Sequence, residues 1–308
     1  MLGRGTSVCR RTVLLVAAIV LMGVACTNAD PLGQLVAADQ PSRIAIIRDG
    51  TDVVIHEDSV SWVVWALDPG SLNGSVIESL EPVDARRVLV GVCCEVADGR
   101  QLIVDLAGGP VEILPLPVRF PSVSQDGNLV WSGGSEVVAD NLGQFLAYES
   151  GVGVVERGPT VRVAPDGFAL RPLGLPGDRV ALVEPGLDGS SSLVIVDREG
   201  SVEVSASVGS VVSTDYDPEN NVIVALMASR DGTASDNIGG DTIVVFSTQT
   251  LEQLAAWNLD DPAVAIDTGN GWILSTRADG SVASSPMSSP SEVTVIDGAG
   301  ATAASWLR

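Results

Sequence analysis

A short apolar segment that ends in a polar residue, with a turn residue three positions later, recurs six times along the chain. The polar residue stands at positions 56, 105, 148, 197, 247 and 297, so the copies are 49, 43, 49, 50 and 50 residues apart. Copies at such regular spacing indicate an internal structural repeat. They are Val53–His56 with Ser59, Leu102–Asp105 with Gly108, Phe145–Tyr148 with Gly151, Val194–Asp197 with Gly200, Val244–Ser247 with Thr250, and Thr294–Asp297 with Gly300.

Each copy follows another apolar segment, and a hairpin signal separates the two. Asp49-Gly50 and Asp98-Gly99 lie at the same offset before the polar residue of their copies, and both residue types tolerate the positive φ of a tight hairpin. Four short antiparallel strands in about 49 residues predict a β-propeller blade. The preceding strands are predicted at Ile44–Ile47, Val88–Val92, Leu129–Trp131, Val180–Val183, Val222–Leu226 and Trp272–Leu274, with further strands at Val211–Thr214 and Ala263–Ile266.

The sequence therefore predicts an all-β, six-bladed propeller over residues 34–308, with seven blades as the alternative. No segment after Cys26 has convincing helical periodicity, and 33 Gly and 17 Pro residues punctuate the chain. A sandwich or several small β-domains would give similar local patterns. The constant register of the copies favours the propeller.

Two of the predicted hairpins resemble known proteins. Ile195–Val202 and Val245–Glu252 are similar to the outer hairpins of TolB-like and quinoprotein-like propellers, and this resemblance covers most of residues 43–308. It implies a blade and specifies no ligand. The chain contains no Trp-Asp dipeptide, and its Gly-Gly pairs are irregularly spaced, so WD-type and kelch-type propellers are not indicated.

The N-terminus has the pattern of an export signal. Three arginines, at positions 4, 10 and 11, precede an uncharged apolar stretch that is too short to remain as a membrane-spanning helix. The stretch ends in small residues before Cys26 and resembles the bacterial lipobox, although Gly23 stands where that pattern prefers Leu. An ordinary signal peptide or an uncleaved anchor is the alternative, and Arg10-Arg11 also resembles a twin-arginine signal.

On the lipobox interpretation, residues 1–25 are a lipoprotein signal peptide that begins with a signal helix, and Cys26 carries the lipid, palmitate included. Residues 26–33 form a short tether. The mature protein would then lie on the extracytoplasmic face of the cell membrane, with the bilayer as one partner.

Charge narrows the set of partners further. All 39 acidic residues follow Cys26, whereas only 14 of the 17 basic residues do, which gives the mature chain a formal charge of −25. Because phosphate binding depends on clustered cations, no nucleic acid partner is expected. Every basic residue is Arg, a composition similar to that of actinobacterial secreted proteins.

The adjacent cysteines Cys93 and Cys94 are the most unusual local feature. If Cys9 leaves with the signal and Cys26 is lipidated, these two have only each other in an oxidising compartment, so a vicinal disulfide is predicted. It would distort the strand, because consecutive Cα atoms are closer than in most disulfides. A reduced pair and a metal site are the alternatives.

Other candidate chemistry is sparse. His56 is the only histidine and is interpreted as an exposed turn residue, and no catalytic or metal-ligating set is assigned. Asp215–Asn220 begins like a calcium loop but lacks the Gly and Glu that such loops carry, so a solvated turn is favoured over bound Ca²⁺ and no cofactor is expected. The six tryptophans are expected to pack between blades.

These features favour a non-catalytic binding module that presents propeller loops to an envelope protein, peptide or glycan. The alternative is an extracytoplasmic hydrolase or lyase that uses carboxylates facing the central channel. A spacer without a ligand is the third hypothesis.

Overall fold

The computed structural model describes residues 35–68, 76–93, 100–108, 112–114, 119–124, 126–133, 136–141, 160–163, 171–186, 190–228, 239–298 and 300–307. In these ranges every helix or strand assigned is a β-strand, and no helix there is long and apolar enough to cross a membrane. The signal peptide, Cys26 and the tether lie outside the described residues.

The strands follow one another in simple order along the chain. They are β1 (Arg43–Arg48), β2 (Asp52–Glu57), β3 (Val60–Ala66), β4 (Val76–Pro82), β5 (Arg87–Cys93), β6 (Arg100–Asp105), β7 (Glu112–Leu114), β8 (Arg119–Val123), β9 (Asn128–Gly133), β10 (Glu136–Asn141), β11 (Thr160–Val163), β12 (Arg171–Leu175), β13 (Arg179–Pro185), β14 (Ser191–Val196), β15 (Val202–Val208), β16 (Val211–Asp217), β17 (Val222–Met227), β18 (Gly240–Ser247), β19 (Gln253–Gly269), β20 (Trp272–Arg277), β21 (Val282–Pro286), β22 (Thr294–Asp297) and β23 (Ala301–Trp306).

Antiparallel pairing arranges these strands into four four-stranded sheets and one seven-stranded sheet. The four are β23-β1-β2-β3, β4-β5-β6-β7, β8-β9-β10-β11 and β12-β13-β14-β15. The seven-stranded sheet, β16 to β22, divides at the long strand β19, whose first part pairs with β18 and whose last part pairs with β20. The described residues thus form six four-stranded groups, numbered here first to sixth from the group that contains β1. The blade number of the whole chain stays a prediction.

The innermost strands of these groups form a closed cycle. In order, β23, β4, β8, β12, β16 and the end of β19 each contact the next, and β19 contacts β23 again. The ring closes where β23, from the C-terminal end, pairs with β1, with Trp306 opposite Ile44. Sheets that stand around a common axis make a β-propeller and not two facing layers, which confirms the predicted fold class.

Turn chemistry explains the hairpins that the sequence located correctly. Asp49 and Gly50 have φ of 54° and 67°, as a tight β1–β2 turn requires. His56, Asp105, Asp197 and Ser247 all lie at or beside the end of the third strand of their groups, as predicted. The turn residues after three of these strands, Ser59, Gly108 and Gly200, also have positive φ.

Two of the six copies were assigned wrongly. The partner of β9 is β10, Glu136–Asn141, and not the predicted segment Phe145–Tyr148, which lies outside the described residues. In the sixth group, Thr294–Asp297 is the fourth strand, because β20 pairs first with Val282–Pro286. The sequence of β10 also contains the repeat pattern, but Phe145–Tyr148 fits the regular spacing of the copies better. The sequence of β21 does not match the pattern, whereas Thr294–Asp297 does.

The core consists of apolar layers between neighbouring groups. All six side chains of β17 are buried, and they alternate between the fourth group, which Ile223 and Ala225 face, and the sixth, which Val222, Val224 and Leu226 face. Trp131 and Trp306 are fully buried, as expected for packing between sheets. Trp62 is 40% exposed on the outer strand β3, so for this residue the packing prediction was wrong.

Candidate functional site

A cavity of about 220 Å³ lies between the innermost strands, near the axis of the ring. Glu81 of β4, Asp215 of β16 and Asp267 of β19 line it, together with Asp84, which follows β4. Carboxylates therefore face the channel, as the sequence analysis anticipated without identifying them. Among the described residues, no three His, Cys, Asp or Glu side chains converge as a metal site would require.

Three of these carboxylates hold neighbouring sheets together. Glu81 Oε1 accepts a hydrogen bond from the backbone N–H of Val123 (2.6 Å). Asp215 Oδ2 accepts from the N–H of Thr268 (2.5 Å), and Asp267 Oδ2 accepts from the N–H of Trp306 (2.8 Å). Each bond joins an innermost strand to the next one in the cycle. Hydrogen bonds from backbone N–H groups to carboxylates are stronger than those between neutral groups, so they stabilise the ring at its narrowest point.

At the corresponding position on the innermost strand of the third group, the acceptor is a hydroxyl oxygen. Ser122 Oγ accepts from the N–H of Gly174 at 3.1 Å, across the junction of β8 and β12. Each innermost strand has one acceptor position, and at these junctions the residue directly after it donates its N–H to the acceptor of the preceding strand in the cycle. This relation holds at all four junctions, so the bonds repeat with the symmetry of the fold.

The two remaining junctions have side chains that do not support this bond. In β12 the acceptor position is Leu173, which has no polar atom. In β23 it is Ser305, and the corresponding donor on β4 would be Pro82, which has no N–H. The Ser305 hydroxyl is buried and has no hydrogen-bond partner among the described residues. The ring of hydrogen bonds is therefore interrupted at two junctions, β23–β4 and β12–β16. The junctions made by Glu81 and Ser122 lie between these two interruptions.

The Asp84 carboxylate is held by hydrogen bonds from residues close to it in sequence. Burial alone would raise its pKa, but the Arg87 guanidinium and the backbone N–H groups of Arg86 and Arg87 outweigh burial and hold the pKa below its usual value. The Arg87 guanidinium donates to Asp84 Oδ2 at 2.8 and 2.9 Å. This carboxylate is therefore ionised at neutral pH and its charge is partly balanced.

Two aspartates of the calcium-like segment, Asp215 and Asp217, connect neighbouring sheets. The side chain of Asp217 is fully buried, its Oδ1 accepts from the N–H of Gly271 (2.9 Å), and its Oδ2 accepts from the N–H and side-chain amide of Asn220. Asp215 also accepts from the Thr268 hydroxyl at 2.8 Å. The favoured interpretation as a solvated turn missed this role, because the donor strand lies over 50 residues away.

Neither Cys93 nor His56 is among the described residues that line the axial cavity. Cys93 ends β5, opposite Val76, and Cys94 lies outside the described residues, so their disulfide stays a prediction. The prediction that His56 is an exposed turn residue was wrong. His56 lies near the end of strand β2, it is half-buried, and its Nδ1 lies 2.9 Å from the Ser61 hydroxyl oxygen.

Several solved structures have a similar fold at 10–11% sequence identity. A protein of unknown function from Bacteroides caccae has a TM-score of 0.58 at 10% identity, covering 87% of this chain and 100% of that chain. A DUF4784 family protein from the same organism has a TM-score of 0.56 at 10% identity, covering 88% of this chain and 75% of that chain. Tricorn protease has a TM-score of 0.50 at 11% identity, and the matched part is 86% of this chain but only 34% of the protease.

At such low identity, these similarities concern the fold alone. No protein-family model matches the chain, and no curated protein sequence matches it. Function therefore has to be argued from this chain's own residues.

Proposed function

We propose that this chain is a lipid-anchored binding module of the bacterial cell envelope, held to the membrane through Cys26. The observation that carries the proposal is the use of the axial carboxylates. Each of Glu81, Asp215 and Asp267 has an oxygen engaged by a backbone N–H of the next sheet. Side chains that connect sheets serve a rigid frame, and this favours binding by loops over hydrolysis by channel carboxylates.

The contacts of the first described residues support a position for the proposed tether on the body. Leu35–Gln40, here called the N-terminal strap, crosses the turns β16–β17 and β19–β20. Val36 exchanges two hydrogen bonds with the Asn220 side chain, at 2.8 and 2.9 Å. Ala38 donates its N–H to the Asn270 carbonyl (2.8 Å) and accepts from the Trp272 indole N–H (2.8 Å).

Close packing also holds the strap against the turns β16–β17 and β19–β20. Leu35 is buried in the core layer between the fifth and sixth groups. A Cβ on Gly271 would lie 1.9 Å from the Val36 carbonyl oxygen, so only glycine fits beneath the strap. The strap contacts turns between first and second strands, which lie together at one end of the ring, here called the anchor face. The turns between second and third strands form the opposite face.

The tether makes the anchor face the side nearer to the bilayer. From Cys26 to Leu35 the chain can extend at most about 32 Å, since each residue spans at most about 3.6 Å. The opposite face, which includes the β1–β2 and β20–β21 turns, would then be presented to envelope partners. Its loops sit on strands of the rigid frame, as binding loops of propellers do.

Replacement of Cys26 tests the anchor. Cys26→Ala removes the only thiol to which the signal peptidase pathway would attach lipid, so we expect the protein to leave the membrane fraction and appear in the soluble fraction. Labelling with a palmitate analogue should be lost in parallel. A Cys9→Ala variant is the matched control and should remain membrane-bound and labelled. Membrane association of Cys26→Ala equal to that of the wild type would contradict the anchor.

Photo-cross-linking tests both the binding role and the orientation. A photoreactive amino acid replaces exposed Glu219 on the anchor face or exposed Ala278 on the opposite face, in native membranes. We expect the probe at position 219 to capture phospholipid and the probe at position 278 to capture a discrete protein or glycan adduct. The reverse pattern would refute the orientation. Absence of any discrete adduct from either face would favour the spacer hypothesis over a binding module.

A further inference from the structure

A second cavity, separate from the axial one, lies between the fifth and sixth groups. This inter-sheet groove has a volume of about 450 Å³ and is bounded by Trp257–Asp261 of β19, by β20 and β21, and by residues 288–293. Cavities of roughly 300–1,000 Å³ are the usual size of small-molecule sites. None of the residues proposed for the anchor or the axial ring lines it.

Hydrogen-bond donors remain available in the walls of this groove. The indole Nε1 of Trp257 is buried and has no hydrogen-bond partner among the described residues. A buried polar atom without a partner is costly, so a groove ligand that accepted from this N–H after a small rotation of the ring would remove that cost. Arg277 adds a guanidinium whose side chain is 16% exposed and which contacts Asp261 at 3.0 Å. That ion pair uses one of its five N–H groups.

Hydroxyl and amide groups complete the lining. Ser275 and Ser285 are buried groove residues, and the Ser275 hydroxyl donates to the Ala283 carbonyl at 3.3 Å, which leaves its lone pairs free to accept. The Asn258 carbonyl oxygen accepts from the Thr242 hydroxyl at 3.2 Å, which leaves the amide N–H groups of Asn258 as donors. Ser288, Ser289 and Ser291 form the rim.

This mixture of donors and acceptors selects a class of ligand. A purely apolar ligand would leave the serine hydroxyls and the Arg277 guanidinium unsatisfied. A free anion would meet the carboxylates of Asp260 and Asp261, of which only one is paired with Arg277. A neutral ligand with many hydroxyls can donate to the carboxylates and accept from Arg277, Asn258 and Trp257. We propose that the inter-sheet groove binds a neutral carbohydrate of one or two sugar units.

Titration calorimetry with three neutral disaccharides, maltose, cellobiose and N,N′-diacetylchitobiose, tests the proposal. The full chain is purified in a polyoxyethylene detergent, because alkyl glycoside detergents would compete for the groove. We expect at least one disaccharide to bind with a Kd of about 1 mM or tighter. If none of the three binds, the proposal is wrong. Membrane association is measured separately, so this result is independent of the anchor.

Two variants distinguish a ligand contact from a structural contact. Trp257→Phe keeps the aromatic ring and removes the N–H, and Ser285→Ala removes one hydroxyl. Each should raise the Kd about tenfold, the usual effect of losing a hydrogen bond to a ligand. The ligand-free melting temperature of Trp257→Phe should not fall, because the N–H has no partner among the residues that the structure describes.

Trp62→Phe, on the outer strand of the first group, is the matched control and should leave the affinity unchanged. Wild-type affinity in both Trp257→Phe and Ser285→Ala would overturn the assignment of the groove, even if a disaccharide binds elsewhere. Loss of affinity in both, with Trp62→Phe unaffected, would establish it.

Discussion

Trp306→Ala is expected to destabilise the protein more than any other single truncation of a side chain at the ring closure. Trp306 is fully buried on β23 and packs with Ile44, Ile46 and Leu274, so it joins the last strand of the chain to the first group and to the sixth. Truncating a buried tryptophan costs ~3–5 kcal/mol through lost burial and the cavity that remains. Urea denaturation should show this loss as a lower midpoint.

Two tryptophan variants serve as controls for that experiment. Trp306→Phe retains most of the buried area and removes an indole N–H that has no partner in the described part of the chain, so its cost should be much smaller. Trp62→Ala removes a side chain that is 40% exposed and should cost less than ~1 kcal/mol. Equal midpoints for Trp306→Ala and Trp62→Ala would show that closure through β23 does not limit the stability of the ring.

Asp217→Ala is expected to have the second-largest effect. The carboxylate accepts three hydrogen bonds, one from Gly271 and two from Asn220, and the side chain is fully buried. Its removal leaves a buried N–H on Gly271 without an acceptor and frees Asn220, which holds the strap. Loss of charge-assisted hydrogen bonds of this kind costs ~2–4 kcal/mol. The measurement is again the free energy of unfolding in urea.

The adjacent turn provides a matched acidic control. Glu219 lies two residues away and is exposed, so Glu219→Ala should change the free energy of unfolding by less than ~0.5 kcal/mol. Protection of the Val36 and Ala38 amides from hydrogen exchange should fall in Asp217→Ala and not in Glu219→Ala. If both variants keep wild-type stability, the buried network around Asp217 contributes nothing measurable.

Local chemistry determined which parts of the fold could be predicted. The β1–β2 hairpin was predictable because Asp49-Gly50 restricts the backbone to a tight turn between two apolar runs. The second copy has Asp-Gly at the same offset, and all four correctly placed copies have three apolar residues directly before the polar residue. The third and sixth copies failed because strand order within a sheet depends on pairing, and two serines interrupt the apolar pattern of Val282–Pro286.

The axial carboxylates were predictable only as a class. Their role depends on contacts between different sheets, such as that from Asp215 to Thr268, 53 residues apart. A spacing close to the repeat length, as between Asp215 and Asp267, is the one signal that could have identified them. Predicting the missing hydrogen bond at Ser305 would require knowing that Pro82 lies opposite Ser305. The sequence pattern of a single strand does not contain that information.

The N-terminal strap also determines which contacts first bear a pulling force applied at residue 35. Tension applied at residue 35 first loads the hydrogen bonds of Val36 with Asn220 and of Ala38 with Asn270 and Trp272. Only after these break would the force reach β1, whose pairing with β23 closes the ring. We therefore expect a force applied at residue 35 to release the strap before it separates β1 from β23.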